Sequence, residues 1–454
     1  MEKKVYKGSR TIILLVTFMS IIICVAAGIY LFYALFISVI FSSCLFIKDG
    51  FTFKELITMI KNSLVECREL FILILLVGIT IPIWFSSGTI PAMIFYGFDY
   101  FIGKNLILAA FIFTSVVSIF IGSSIAAIST VGIALIGLGK VFHGPDYILL
   151  GAVVSGAFLA DKLSPISGLA NLMLSITKVS YRKALFSMCK TLLPAYAAAA
   201  AVYFYIGKNC IVFNGNLSGF KNSIEENFFV SPFLLLVLAA VFAMCFLGIG
   251  VIKSLSLGLI AGALVSIFIQ KVSIVKIFEY ILWGYSKVTG SQELNKILDG
   301  GGIKSVIGII FIIMMAIALS SIFKGTGFIN PVVDKIIHNV KGRGELILKT
   351  GIISGMLTLL CDQSVGVIMP GELLRDKYEE LKIPSHILSR TISDTGIIIA
   401  PLIPWNGNSL FILALTGISS IRYSPYAFLC YILPIATFIS GMFYKKLPEL
   451  ELKK

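Results

Sequence analysis

The chain has 454 residues, of which 58% are apolar and 13% charged, with a formal net charge of +14 and a mean hydropathy of +0.98. A globular protein carries roughly 25% charged residues, so these values exclude a soluble core. The basic excess sits mainly in short connections between apolar runs, which is the bias of cytoplasmic membrane loops, so lipid is an expected partner and nucleic acid is not.

In chain order, residues 11–47 contain no Asp, Glu, Lys or Arg. At 1.5 Å per residue this run outreaches a hydrocarbon layer about 30 Å thick, and two passes broken near Gly28 fit it best. A cleaved leader would share the basic start at Lys3, Lys4, Lys7 and Arg10, but its apolar region would be shorter, so the first span is read as retained. Further apolar stretches follow at residues 70–86, 104–121, 123–138, 147–160, 191–206, 231–250, 251–269, 303–322, 347–361, 387–404, 407–418 and 425–443. They predict an all-α polytopic membrane protein with about 10 to 13 apolar segments, some of them too short to cross.

Two of these segments carry related motifs. Residues 130–137 read T-V-G-I-A-L-I-G and residues 364–371 read S-V-G-V-I-M-P-G, which places Gly132 on Gly366 and Gly137 on Gly371 at a separation of 234. Asp161 in A-D-K-L-S-P falls on Asp394 in S-D-T-G-I-I-I-A-P at 233, and Gly88-Thr89 on Gly325-Thr326 at 237. A nearly common offset predicts a duplicated unit. The first repeat is placed at about 70–206, a polar connecting loop at about 207–230 and the second repeat at about 303–444, within one transporter domain spanning 1–454.

The charge pattern gives the repeats opposite orientations. Lys178, Arg182, Lys183 and Lys190 follow the first Asp motif, whereas the corresponding stretch after the second, about 413–425, has only Arg422; Lys335, Lys341, Arg343 and Lys349 precede the second motif, whereas the corresponding stretch before the first, about 98–112, has only Lys104. Basic residues at both ends, Lys3 to Arg10 and Lys445 to Lys454, place both termini in the cytoplasm. Short Gly- or Pro-interrupted segments at matching places in two halves are the mark of broken helices and re-entrant hairpins in secondary transporters. Gly132, Gly137, Gly366, Gly371, Pro165, Pro401 and Pro404 are the expected irregular backbone positions; close helix packing is the competing reading for the glycines.

Three carboxylates lie in apolar sequence, where a charge at the bilayer centre costs roughly 2.5–3.5 kcal/mol. Asp161 is followed by Ser164, Ser167 and Asn171, whose oxygens suit a small hard cation. Asp394 has Ser393, Thr395 and Asn406 nearby, and Asp362 opens the second glycine motif. The two recurring aspartates are expected to meet near the midplane, where protons and cations compete for the same oxygens. Two structural readings stay open beside this one: Asp161 pairs with Lys162 or caps a half-helix, and Asp394 pairs with Arg390. Cys residues lack C-x-x-C spacing and His143, His338 and His386 are scattered, so no structural metal is expected. The absence of a nucleophile–base pair or a phosphate loop from the apolar segments argues against an enzyme. Asn216-Leu217-Ser218 is a weak glycosylation signal.

Four stretches, W-F-S-S-G-T-I-P-A-M-I-F-Y-G (84–97), G-A-V-V-S-G-A-F-L-A-D-K-L-S-P-I-S (151–167), G-G-I (301–303) and L-S-R-T-I-S-D-T-G-I-I-I-A-P-L-I-P-W-N (388–406), resemble the NhaC-type sodium/proton antiporter family of the ion transporter superfamily. The resemblance implies a bacterial inner-membrane antiporter, without a cofactor, that exchanges sodium or lithium for protons. It also implies cation-site residues at Asp161, Ser164, Ser167, Asn171, Asp394, Thr395 and Asn406. Where the family usually reads G-D-K-x-S-P-L-S-D-T-T-N, this chain has A-D-K-L-S-P-I-S-G-L-A-N, with Gly168, Leu169 and Ala170 replacing three polar residues. That departure favours the alternative of a sodium- or proton-coupled exchanger of a small organic acid, of malate/lactate type, or of an amino acid. A homodimer is left open.

Overall fold

A computed structural model describes residues 7–101, 104–141, 145–210, 217–286, 300–337 and 342–444, with residues 289, 294, 295, 298 and 340 between them. His143, His338, Asn216 and the basic ends at Lys3, Lys4 and 445–454 lie outside the described residues, as does Lys341. The described chain is helical, with a single isolated β-bridge between Tyr285 and Gly300.

The first half opens with α1 (Lys7–Ala26), α2 (Leu31–Lys48) and α3 (Phe53–Glu66), and continues through α4 (Arg68–Ser86), α5 (Thr89–Phe101) and α6 (Leu106–Ile121). Then come α7 (Ser124–Ala127), a π-helical turn (Ile128–Gly132), α8 (Ile133–Val141), α9 (Asp146–Ala157), α10 (Leu159–Leu163), α11 (Gly168–Thr177) and α12 (Tyr181–Cys210). The expected polar loop contains a helix, α13 (Leu217–Asn227), before α14 (Leu235–Phe246), α15 (Val251–Phe268) and α16 (Ile274–Trp283). The second half holds α17 (Ile303–Gly325), α18 (Asn330–Ile337), α19 (Arg343–Leu360), α20 (Gln363–Glu380) and α21 (Ser385–Ile392). It ends with a second π-helical turn (Ser393–Ile397), α22 (Gly407–Thr416), α23 (Ser420–Tyr423) and α24 (Phe428–Phe443). Five described helices are long and apolar enough to cross a membrane, and four bent helix pairs bring the number of spans to at most nine. Three shorter apolar helices accompany them. This is a multi-pass membrane protein.

The helices pack through small residues, as expected where lipid is as apolar as a leucine side chain. A Cβ on Gly156 of α9 would lie 2.6 Å from the Phe111 carbonyl oxygen of α6, so only glycine permits that approach. Trp84 of α4 fits against Gly262 of α15 and donates its indole N–H to the Gly258 carbonyl at 3.3 Å.

Helix boundaries recur along the chain at a spacing of 239. Helices start at Ser124 and Gln363, Asp146 and Ser385, Gly168 and Gly407, Tyr181 and Ser420; they end at Ser86 and Gly325, Ile121 and Leu360, Thr177 and Thr416. Backbone positions with positive φ follow the same spacing, Gly88 with Gly327 and Lys178 with Gly417. So do Pro145 with Pro384 and Pro165 with Pro404. The spacings of 233 to 237 read from the motifs are therefore corrected. In the structural register Gly132 corresponds to Gly371, Asp161 to Ala400, and Asp394 to Ser155.

Candidate cation site

Each half contains two chain breaks whose freed backbone groups must find partners. The first lies after α6, at Gly122, with φ +78°; Ser123 then caps α7 by accepting the Ala126 N–H. Its counterpart lies after α19, where the Asp362 carboxylate caps α20 by accepting the N–H groups of Ser364 at 2.5 Å and Val365 at 3.0 Å. The other break in the first half, Ser164–Ser167, separates α10 from α11, and the bent pair turns by 43°. Its counterpart, Ile403–Asn406, precedes α22 with a turn of 40°. Proline stands in both, Pro165 and Pro404, and removes a helix donor each time. Ser167 and Asn406 cap the following helices, so one role of these two predicted ligands is local and structural.

Asp161 sits on α10, one turn before the first of these breaks. Its half-buried carboxylate accepts the Ser124 hydroxyl at 2.5 Å and the Ser167 hydroxyl at 3.5 Å. Ser124 is the first residue of α7, so the carboxylate faces the positive end of that helix. A carboxylate flanked by two hydroxyls at a helix break is an all-oxygen set of the kind a small hard cation takes.

Asp394 lies in the second π-helical turn, fully buried. One carboxylate oxygen is ion-paired to the ammonium of Lys162, which is also buried and 3.5 Å from the Ser393 hydroxyl. The other accepts the hydroxyls of Thr191 at 2.7 Å and of Thr437. The two aspartates therefore have separate hydrogen-bond shells. Asp394 takes Lys162, the sequence neighbour of Asp161, in place of Arg390; Arg390 donates to the Ser440 hydroxyl at 3.0 Å. Asp161 takes hydroxyls in place of Lys162.

The remaining predicted residues divide. Ser164 is buried at the first break, where its hydroxyl accepts the Ile166 N–H at 3.4 Å. Exposed Asn171 donates to the Pro165 carbonyl at 2.9 Å, bracing the break from outside. The Thr395 hydroxyl is turned back onto the Thr391 carbonyl at 2.6 Å, away from the Asp394 carboxylate. Asn406 accepts the Asn408 N–H at 3.0 Å, and its buried amide nitrogen has no partner. The Pro401 carbonyl accepts the Tyr423 hydroxyl at 2.6 Å. Gly132 is part of the first π-helical turn, while Gly366 and Gly371 lie inside α20, where they are needed for packing: a Cβ on Gly371 would sit 2.6 Å from Ile176. Gly137 lines a cavity of about 630 Å³ together with Lys304, Ser305 and Thr416. Among the described residues no cluster of three His, Cys, Asp or Glu side chains is placed to hold a metal.

Sequence reasoning missed Lys162 as the partner of Asp394, and Ser124, Thr191 and Thr437. Lys162 carried the signal that found the aspartates, a charge embedded in an apolar run. The serine and the two threonines carried none, because hydroxyls are common in membrane helices.

The profile of the Na+/H+ antiporter family matches residues 169–444. The chain is 28% identical to the Na(+)/H(+) antiporter NhaC of Bacillus subtilis over 417 residues, covering 91% of this chain and 92% of the relative. It is 28% identical to NhaC of Alkalihalophilus pseudofirmus over 450 residues, 97% and 96% of the two chains. The Malate-2H(+)/Na(+)-lactate antiporter of Bacillus subtilis is 25% identical over 405 residues, 88% and 86%. These relatives are transporters, not enzymes, and the chain belongs to the Na+/H+ antiporter family.

Proposed function

We propose that the protein exchanges sodium or lithium for protons across the bacterial inner membrane by alternating access, with both termini in the cytoplasm. The observation that carries this reading is Asp161, a half-buried carboxylate at a helix break whose partners are the hydroxyls of Ser124 and Ser167. A proton and a cation compete for those oxygens, and competition for one site is what couples their opposite movements. Recurrence of helix boundaries at 239 residues supports two repeats, about 70–206 and 303–444. The basic residues after α11 and before α20 support their inverted orientation, the arrangement in which one repeat rocks against the other around a fixed site.

One observation favours the organic-solute reading beside it. The Asn406 amide nitrogen is buried and unpartnered, and because its oxygen is committed to Asn408, that nitrogen can only donate. A donor at the second break suits a carboxylate oxygen better than a cation, and one relative is named for malate and lactate.

Proton release from acidified inside-out vesicles separates the two. Alkalinisation on sodium or lithium alone supports cation/proton exchange. Silence with every cation and a response to malate, lactate or an amino acid replaces it with the organic reading.

A further inference from the structure

We propose that Lys162 is a tethered cation: its ammonium fills the cation position at Asp394, so that Asp394 takes no transported ion and exchange runs through Asp161. The proposal rests on the sodium-for-proton reading above and says which of the two aspartates serves it.

The shell around the Lys162 ammonium has the chemistry of a sodium site. It contains a carboxylate oxygen of Asp394 and the Ser393 hydroxyl, and the second carboxylate oxygen is held by Thr191 and Thr437. The position is occupied by an atom the chain cannot release. Lys162 and Asp394 are 1% and 0% exposed, so the pair is closed off from solvent on every side.

The pair is also built only once. In the structural register Lys162 corresponds to Pro401 and Asp394 to Ser155, so neither member has a charged counterpart in the other half. Here the second half's carboxylate is neutralised by a side chain from the first half, reaching across from α10 to the second π-helical turn. Stability alone is a poor reason to keep such a pair, since well-packed apolar residues often replace a buried ion pair without loss. Closing one of two cation positions is a reason that apolar packing would not meet, because an apolar side chain would not compete with sodium for the carboxylate.

The test is equilibrium binding of radioactive sodium to the purified full-length protein in detergent, read as ions bound per chain at saturation. The expected result is one for the wild type, two for Lys162→Met, which keeps the stem and removes the ammonium, and one for Lys162→Met/Asp394→Asn. A purely structural role for Lys162 would alter unfolding without raising the stoichiometry. One ion in both the wild type and a folded Lys162→Met overturns the proposal. If Lys162→Met does not fold, the neutral double variant decides: one ion supports the proposal, and none overturns it by making Asp394 a ligand of the wild-type site. Wild-type protein that binds no sodium overturns the cation reading itself, and the proposal with it.

Discussion

The two buried aspartates are the same residue in the same kind of place, each on a broken helix that packs in the interior, yet their surroundings give them opposite characters. Asp161 lies one turn from its break, is half-buried, and takes neutral donors, among them the hydroxyls of Ser124 and Ser167. Asp394 lies well before its break, in a π-helical turn, fully buried and neutralised by Lys162. Position relative to the break goes with burial: close to its break Asp161 is partly exposed, whereas Asp394, more than two turns before its own, is closed off. An aspartate in an apolar span is therefore a functional candidate only until its partner is known.

The sharpest way to break this comparison is Asp161→Asn. On the proposed exchange, losing the Asp161 charge removes a charge-assisted interaction of roughly 3 kcal/mol, and sodium-driven alkalinisation in inside-out vesicles should fall by about 100-fold while the protein remains inserted. Retention of exchange would move the site elsewhere. Asp394→Asn should instead act on stability: it leaves a buried ammonium unpaired, at a cost of about 3–5 kcal/mol, read as a lower unfolding temperature in detergent. Lys162→Met/Asp394→Asn should recover most of that loss. Smaller effects sharpen the picture around Asp161. Ser124→Ala removes the 2.5 Å hydrogen bond and should raise the KM for sodium by about 5- to 10-fold, with Ser167→Ala, at 3.5 Å, weaker. The smallest effect belongs to Thr395→Val: its hydroxyl only returns to the Thr391 carbonyl, so transport should change by less than about 2-fold.

The membrane architecture was legible in the sequence because the bilayer imposes it through composition, and the two breaks that flank α11 and α22 were legible because proline marks them. The register of the repeat was not. Gly132 and Gly137 are five residues apart, as are Gly366 and Gly371, so the glycine motifs superpose at 234 with both glycines matched and at 239 with only Gly132 on Gly371. The sequence favours the first, the helix boundaries the second. Asp161 on Asp394 was a coincidence that fitted the slipped register. Among the site residues, carboxylates stood out by their cost in lipid, and Lys162 stood out equally but was read toward its neighbour in sequence. A buried side chain as long as lysine chooses its partner in three dimensions, and the chain on either side of it does not show which one.

Ser155 and Asp394 correspond in the structural register, and both fasten their helices to α12 and to the segment of α24. The Ser155 hydroxyl bonds the Tyr203 hydroxyl at 2.7 Å, and Tyr203 in turn donates to the Tyr426 carbonyl and accepts the Phe428 N–H. Asp394 accepts from Thr191 on α12 and Thr437 on α24. The packed pair α12 and α24 thus carries two fastenings, one between neutral groups and one centred on a carboxylate, set 12 residues apart along α12, or about 18 Å. Sliding α9 and α21 along this pair would break both fastenings, and the one centred on the buried Asp394 carboxylate is the costlier to open.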